Sequence, residues 1–394
     1  MIENEIQVLG TSPKKENLQK YWIWIAIGAV SVLIIGILIG RFAIRDSRIV
    51  DTPQYGECTI DSTLQVAVDS LLKEKMTEIN AQSGQAIVMK VSSGEIHAMV
   101  GLQKRFDGEF EPCQNFGHQQ ESTLIRTVTM LALLETEIFD LSTVVDAMGG
   151  VALIGNTSIK DHNWHRGGYG VLTLEQVLGQ CSNIGLCIPA WEYYKDKPDD
   201  FYEKMNKMSY GKPDSIEGIP EISAIDFLSP KDSIWEKTDM IYQFYGYYQK
   251  IAPLQMLTFY NAIANGGKMV APMLYRTDPI VLNPQIAEKH NIQQLRNALH
   301  HVVTEGLGRK AETKVVSTAG CVGDAMVSQG NNGDEEYNDD GYRVEFCGYF
   351  PANNPRYSVI VSMNKIGFPA SGGGQAGPVF RQIAEYMFEH GMLN

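Results

Sequence analysis

The chain has 394 residues, 44% of them hydrophobic, which is enough to bury a sizeable core. Its net charge of -13 excludes general nucleic-acid binding, because no basic stripe is available to displace counterions from phosphates. Six cysteines (Cys58, Cys113, Cys181, Cys187, Cys321 and Cys347) are too few and too scattered for a small disulfide scaffold.

Residues 21–40 form an uncharged apolar run that spans roughly 30 Å as a helix. Lys14, Lys15 and Lys20 precede it, Arg41, Arg45 and Arg48 follow, and Tyr21, Trp22 and Trp24 suit an interface. The run is long for a cleaved leader and no small-x-small cleavage site follows, so an uncleaved single anchor is expected. Residues 41–55 read as a tether. From Ser62 an amphipathic helix is expected, capped by Asp61 or Ser62, with Leu64, Val68, Leu71 and Leu72 on its apolar face. QAIVMKV and IHAMVGL, joined by the turn SSGE, predict a hairpin. Irregular sequence over 103–120 leads into a deeply buried helix over 124–135.

Thr173 and Gln176 have capping-box spacing at the head of LEQVLGQ, and Pro253 opens a helix that ends at paired glycines. A helix over 291–305, three strand-like runs (VVSTAGCVGDAMV, RVEFCGYF and YSVIVSM) and a last helix over 377–389 complete the chain. The acidic stretch 330–341 reads as a solvated connection. This order predicts an α+β fold: a sheet whose first and last strands come from opposite ends of the sequence, with a helical subdomain inserted.

TIDSTLQ (59–65), AIVMKVSSGEIHAMV (86–100), IAPLQMLTFYNAIANGGKMVAP (251–272), GLGRKA (306–311), GYFPANNPRYSVIV (348–361) and GGGQAGPVFRQIAEYM (372–387) occur in that order. From about residue 56 to the C-terminus this pattern resembles the transpeptidase domain of membrane-anchored, class B type penicillin-binding proteins of division and elongation. The resemblance implies the fold shared with serine β-lactamases, an antiparallel sheet flanked by helices. It also implies residues 1–20 as a cytoplasmic tail, 21–40 as the membrane helix, and 56–394 as a domain in the periplasm of a bacterial inner membrane. The family's usual pedestal domain is not expected, because the anchor meets the transpeptidase-like part almost directly.

Enzymes of the family acylate the serine of Ser-x-x-Lys, whose lysine, one helical turn on, takes the proton. The resemblance places Thr123 at the serine and Arg126 at the lysine, and an arginine with a pKa above roughly 12 is no neutral base. The competing reading is structural: Thr123 as a cap and Arg126 in a charge or amide contact. Ser-x-Asn corresponds to Cys181-Ser182-Asn183, where Asn183 holds a substrate amide or caps local backbone. A Cys181 nucleophile needs a base, which only folding could bring from His118, His162 or His165. Lys-Thr-Gly and its following residue are matched to Thr318, Ala319, Gly320 and Cys321, which removes the cation for a substrate carboxylate. The resemblance puts Cys181 and Cys321 on one cleft, where a disulfide would close it if the backbones lie near 5.5 Å apart.

No cofactor, metal or nucleic acid is expected. His290, His300 and His301 lack zinc-site spacing, and SGGGQ (371–375) is a family turn without the lysine of a phosphate loop. The expected function is a non-catalytic pseudo-transpeptidase with cell-envelope, divisome or elongasome partners, its cleft open to a peptidoglycan peptide. The competing expectation is an unconventional D,D-transpeptidase or D,D-carboxypeptidase acting on D-Ala-D-Ala stem peptides.

Overall fold

A computed structural model describes residues 56–212, 216, 222–225, 227–327 and 341–393. The expected tail, membrane helix and tether lie outside them, as does nearly all of the acidic stretch. Among the described residues, no helix is long and apolar enough to cross a membrane.

Helix α1 (Ser62–Glu78) starts where Asp61 accepts the N–H groups of Thr63 and Leu64, which would otherwise lack partners. The hairpin follows as β1 (Ala81–Lys90) and β2 (Ile96–Lys104), with a short β3 (Phe110–Pro112). A 3₁₀ turn, Thr123–Ile125, leads into α2 (Arg126–Leu134), so the expected helix begins with a tighter turn. Four short strands come next: β4 (Val144–Asp146), β5 (Val151–Ile154), β6 (Thr157–Lys160) and β7 (Val171–Thr173).

The helices α3 (Leu174–Gly179), α4 (Asn183–Tyr194), α5 (Pro198–Lys207), α6 (Asp239–Gln243) and α7 (Pro253–Ala264) build the rest of the inserted subdomain. The Thr173–Gln176 capping box opens α3. Strands β8 (Met269–Val270) and β9 (Val281–Asn283) precede α8 (Lys289–Thr304). The last elements are β10 (Ala319–Met326), β11 (Gly341–Phe350), β12 (Tyr357–Ile366) and α9 (Gly377–Glu389).

One six-stranded sheet runs β10-β11-β12-β1-β2-β3, and every pairing is antiparallel. The hairpin from the start of this region therefore pairs with the closing strands. Successive residues of a strand point to opposite faces, and both faces are buried here. Ala86 and Val88 of β1, with Val344 and Phe346 of β11, pack with Leu64, Val68 and Leu72 of α1 and Phe380 and Ile383 of α9. Ile87 and Met89 join the larger core on the other face, with Leu257 of α7 and Leu131 of α2. Helix α2 is buried at every position, and the turn that opens it holds Thr123 against the edge strand β10.

Candidate functional site

A cleft of about 520 Å³ lies beside β10. Its floor is Thr123, Arg126, Cys181 and Asn183; one wall is Lys160, Asp161, His162 and Trp164; the other includes Asp324 and the turn at Gly372 and Gly373. Thr123, Arg126, Cys181 and Asn183 are thus brought together from the heads of α2 and α4.

Thr123 does not cap α2. Its Oγ1 accepts the Asp324 N–H at 2.8 Å and lies 3.3 Å from the Asp324 carbonyl oxygen. The hydroxyl is tied to the backbone of β10 and uses the strand amide that borders the cleft. Arg126 is 4% exposed. Its Nε donates to Asn183 Oδ1 at 3.2 Å, its Nη2 is 3.8 Å from Asp324 Oδ1, and its Nη1 has no hydrogen-bond partner among the described residues. Burial opposes the charge, but Cys181, Asp324 and Cys321 outweigh it and hold the pKa above its ordinary value. A guanidinium in this state donates and never accepts.

Asn183 accepts from Arg126 and donates to the Lys160 carbonyl at 3.1 Å, so its amide braces the head of α2 against the end of β6. Ser182 is the cap of α4: its Oγ accepts Gly185 N–H and donates to Asp161 Oδ2 at 2.7 Å. Asp161 also accepts the Ile184 N–H. Burial raises its carboxyl, against the lowering pull of Ser182 and Ile184. Cys181, between α3 and α4, has a left-handed backbone (φ 52°) that turns the chain sharply into the cleft wall.

On β10 the cleft is lined by Val322, Asp324 and Met326. Thr318, Ala319 and Gly320, expected to bind substrate, do not line it. Thr318 donates to the Ala311 carbonyl, and its own carbonyl faces His300 Nδ1 at 2.7 Å. Ala319 is buried in the core, and a Cβ on Gly320 would meet the Cys347 carbonyl oxygen at 2.6 Å. Cys321 is fully buried opposite Cys347 in the β10–β11 register, with its Sγ 3.7 Å from the Val322 carbonyl oxygen, while Cys181 Sγ lies 3.6 Å from the Leu178 carbonyl oxygen. All six cysteines are free thiols.

Of the histidines considered as bases, His162 reaches the cleft. Its Nε2 is 3.0 Å from the Tyr169 hydroxyl, and burial lowers its pKa despite Asp324 and Asp161. His118 borders a separate small cavity, and His165 packs edge-on to Trp164. Among the described residues there is no group of three metal-ligating side chains. Lys160, whose Nζ sits 4.8 Å over the Trp164 ring, Asp161 and Asp324 were not expected at the site. None of them carries a motif, so folding had to reveal them.

The model of the penicillin-binding protein transpeptidase domain matches residues 84–385, and the chain belongs to this family. Among curated relatives, the penicillin-binding protein PbpB of Mycolicibacterium smegmatis is 26% identical over 368 residues, covering 84% of this chain and 54% of its own. The peptidoglycan D,D-transpeptidase FtsI of Escherichia coli is 24% identical over 344 residues, covering 82% and 54%. The chain spans about half the length of these relatives. The apo transpeptidase domain of Burkholderia pseudomallei penicillin-binding protein 3 shares the fold with a TM-score of 0.70, at 24% identity over 86% of this chain and 96% of that one.

Proposed function

We propose that this protein is a membrane-anchored pseudo-transpeptidase of the cell-wall synthesis or division machinery, whose cleft binds and does not acylate. Residues 21–40 serve as its single inner-membrane helix, residues 1–20 stay in the cytoplasm, and the domain from residue 56 stands in the periplasm. The support for membrane and envelope is the apolar run together with the kind of relatives, among them FtsI and the stage V sporulation protein D of Bacillus subtilis. Envelope proteins of the divisome or elongasome are its partners, and a peptidoglycan peptide is the ligand its cleft suits.

The observation that carries the reading is the pairing at the head of α2. Thr123 spends its hydroxyl on the Asp324 amide, and the group one turn on is a guanidinium that cannot relieve it of a proton. The third family motif is better placed at Cys321-Val322-Gly323, followed by Asp324, than at Thr318-Ala319-Gly320, because it is this part of β10 that borders the cleft. The family's clamp lysine then becomes a thiol, and a carboxylate stands just beyond it.

The test is incubation of the full-length chain in membranes with a fluorescent penicillin, followed by peptide mass spectrometry. No covalent adduct is expected, while a stem peptide ending in D-Ala-D-Ala binds reversibly. An adduct on Thr123 or Ser122, or release of D-Ala from that peptide, would establish the enzymatic reading instead. That reading draws on the D,D-transpeptidase names of the relatives.

A further inference from the structure

The guanidinium on the cleft floor has hydrogen-bonding capacity to spare. Arg126 lines the cleft at 4% exposure, and among the described residues its Nε alone donates a hydrogen bond, to Asn183. Nη1 is shut off from solvent without a partner, and Nη2 meets Asp324 Oδ1 at 3.8 Å, beyond hydrogen-bond reach. The acceptors nearby are committed. Asp161 takes the Ser182 hydroxyl and the Ile184 N–H, and Asn183 Oδ1 already faces Arg126 Nε. A buried guanidinium so poorly matched favours an anion at its side, and a carboxylate is the anion whose geometry suits it. The Asp324 side chain is 38% exposed, so it can turn to solvent when another carboxylate takes Nη2.

We propose that the cleft recognises a stem peptide from which the terminal D-Ala has been removed, with the new C-terminal carboxylate seated on Arg126. This rests on the reading of the cleft as a non-acylating peptide site and adds which end of which peptide it takes. In that reading Thr123 and Arg126 occupy the place where an acyl-transfer relative would attack the carbonyl of the penultimate residue. Once the terminal residue is gone, that carbonyl carbon belongs to a carboxylate, and it falls beside the guanidinium. The intact D-Ala-D-Ala end presents a neutral amide there, which leaves the cation unpaired. Its own carboxylate must run along β10, where the cleft is lined by Val322, Asp324 and Met326 and the charge it meets is negative. A charged hydrogen bond is forfeited and like charges repel, so the longer peptide binds more weakly. The reaction that must supply the ligand is hydrolysis of the D-Ala-D-Ala bond, which consumes water and releases D-Ala. Lys160, exposed and with its Nζ over the Trp164 ring, is the competing seat for the carboxylate.

The test is calorimetric titration of the full-length chain, in detergent micelles, with a stem tetrapeptide ending in a single D-Ala, the pentapeptide ending in D-Ala-D-Ala, and the tetrapeptide as its C-terminal amide. The tetrapeptide acid is expected to bind about tenfold more tightly than the pentapeptide or the amide. Arg126→Met, with a native near-ultraviolet circular dichroism spectrum, should erase that preference. Asp324→Asn should narrow the gap by helping the pentapeptide, and Lys160→Met should leave it. Equal affinities for the three ligands, tighter binding of the pentapeptide, or a preference that survives Arg126→Met would overturn the inference while leaving reversible peptide binding in place. No binding by any of the peptides, or release of D-Ala from the pentapeptide, would instead overturn the pseudo-transpeptidase reading and the inference with it. The comparison among ligands is made on the unmodified sequence, so a variant that fails to fold does not blur it.

Discussion

Arg343 and Arg126 both leave water on folding, yet their surroundings differ. Arg343, 1% exposed, places Nε 2.8 Å from Glu345 Oε1 and 3.0 Å from Ser362 Oγ. Its Nη1 donates to the carbonyls of Gln120, Glu121 and Ile251, and only its Nη2 lacks an acceptor among the described residues. Glu345 in turn accepts the Ser122 hydroxyl. This network straps the segment before Thr123 to the middle of the sheet. Arg126 has one amide oxygen, a distant carboxylate and thiols. The cation that aims the head of α2 touches its carboxylate, while the cation in the cleft does not touch one. A buried charge is costly without a close partner, so the expense falls where the chemistry would be.

The largest effect expected from this contrast follows Glu345→Ala. It strands a buried guanidinium and should cost about 3–5 kcal/mol in chemical denaturation. A loss below about 1 kcal/mol would mean that the strap is ornamental and the contrast false.

The next effect is on acid stability. His118, near Arg343, and His162, in the cleft, are both held below the ordinary value of 6.5, first by burial, as is His97. The unfolded chain therefore binds protons more readily, so their contribution is complete above about 6.5 and is lost as the pH falls through that value toward the lowered folded-state pKa values. The melting temperature should drop by a few degrees between pH 7.5 and 5.5, and His118→Gln and His162→Gln should each flatten part of the slope. A slope that both variants leave intact would assign the acid sensitivity elsewhere.

The smallest effect is expected from Arg126→Met. A poorly partnered buried charge is often replaced by an apolar side chain at little cost, so stability should stay within about 1 kcal/mol of the parent or rise. A loss like that of Glu345→Ala would put both arginines in one class.

Local chemistry is legible in the sequence wherever a residue type has one dominant use. Asp61, the Thr173–Gln176 box and Pro253 mark helix starts that the structure shows. Helix α4 is hidden, because it is apolar around most of its circumference and carries Pro189 inside. Strands β4 to β9 are only two to four residues long and show little periodicity. The cleft face of β10 is obscured for a related reason. Six of the eight residues of β10 and every residue of β11 are buried, so alternation marks the side turned toward the site only at Asp324 and Met326, the end of the strand. Thr123 and Arg126 follow from counting back along a hydrophobic helix. Asp161 and Asp324 come from distant segments that only the folded chain brings to them.

Gly372 and Gly373 sit so close to their neighbours that an added Cβ would fall 2.2 Å from the Glu345 carbonyl oxygen and 2.1 Å from that of Leu307. That side of the groove is consequently main chain against main chain, with no room to vary. Evolution, or an engineer wishing to change what this groove prefers, is left with the opposite bank at Lys160, His162 and Trp164, where side chains can be exchanged without moving the sheet.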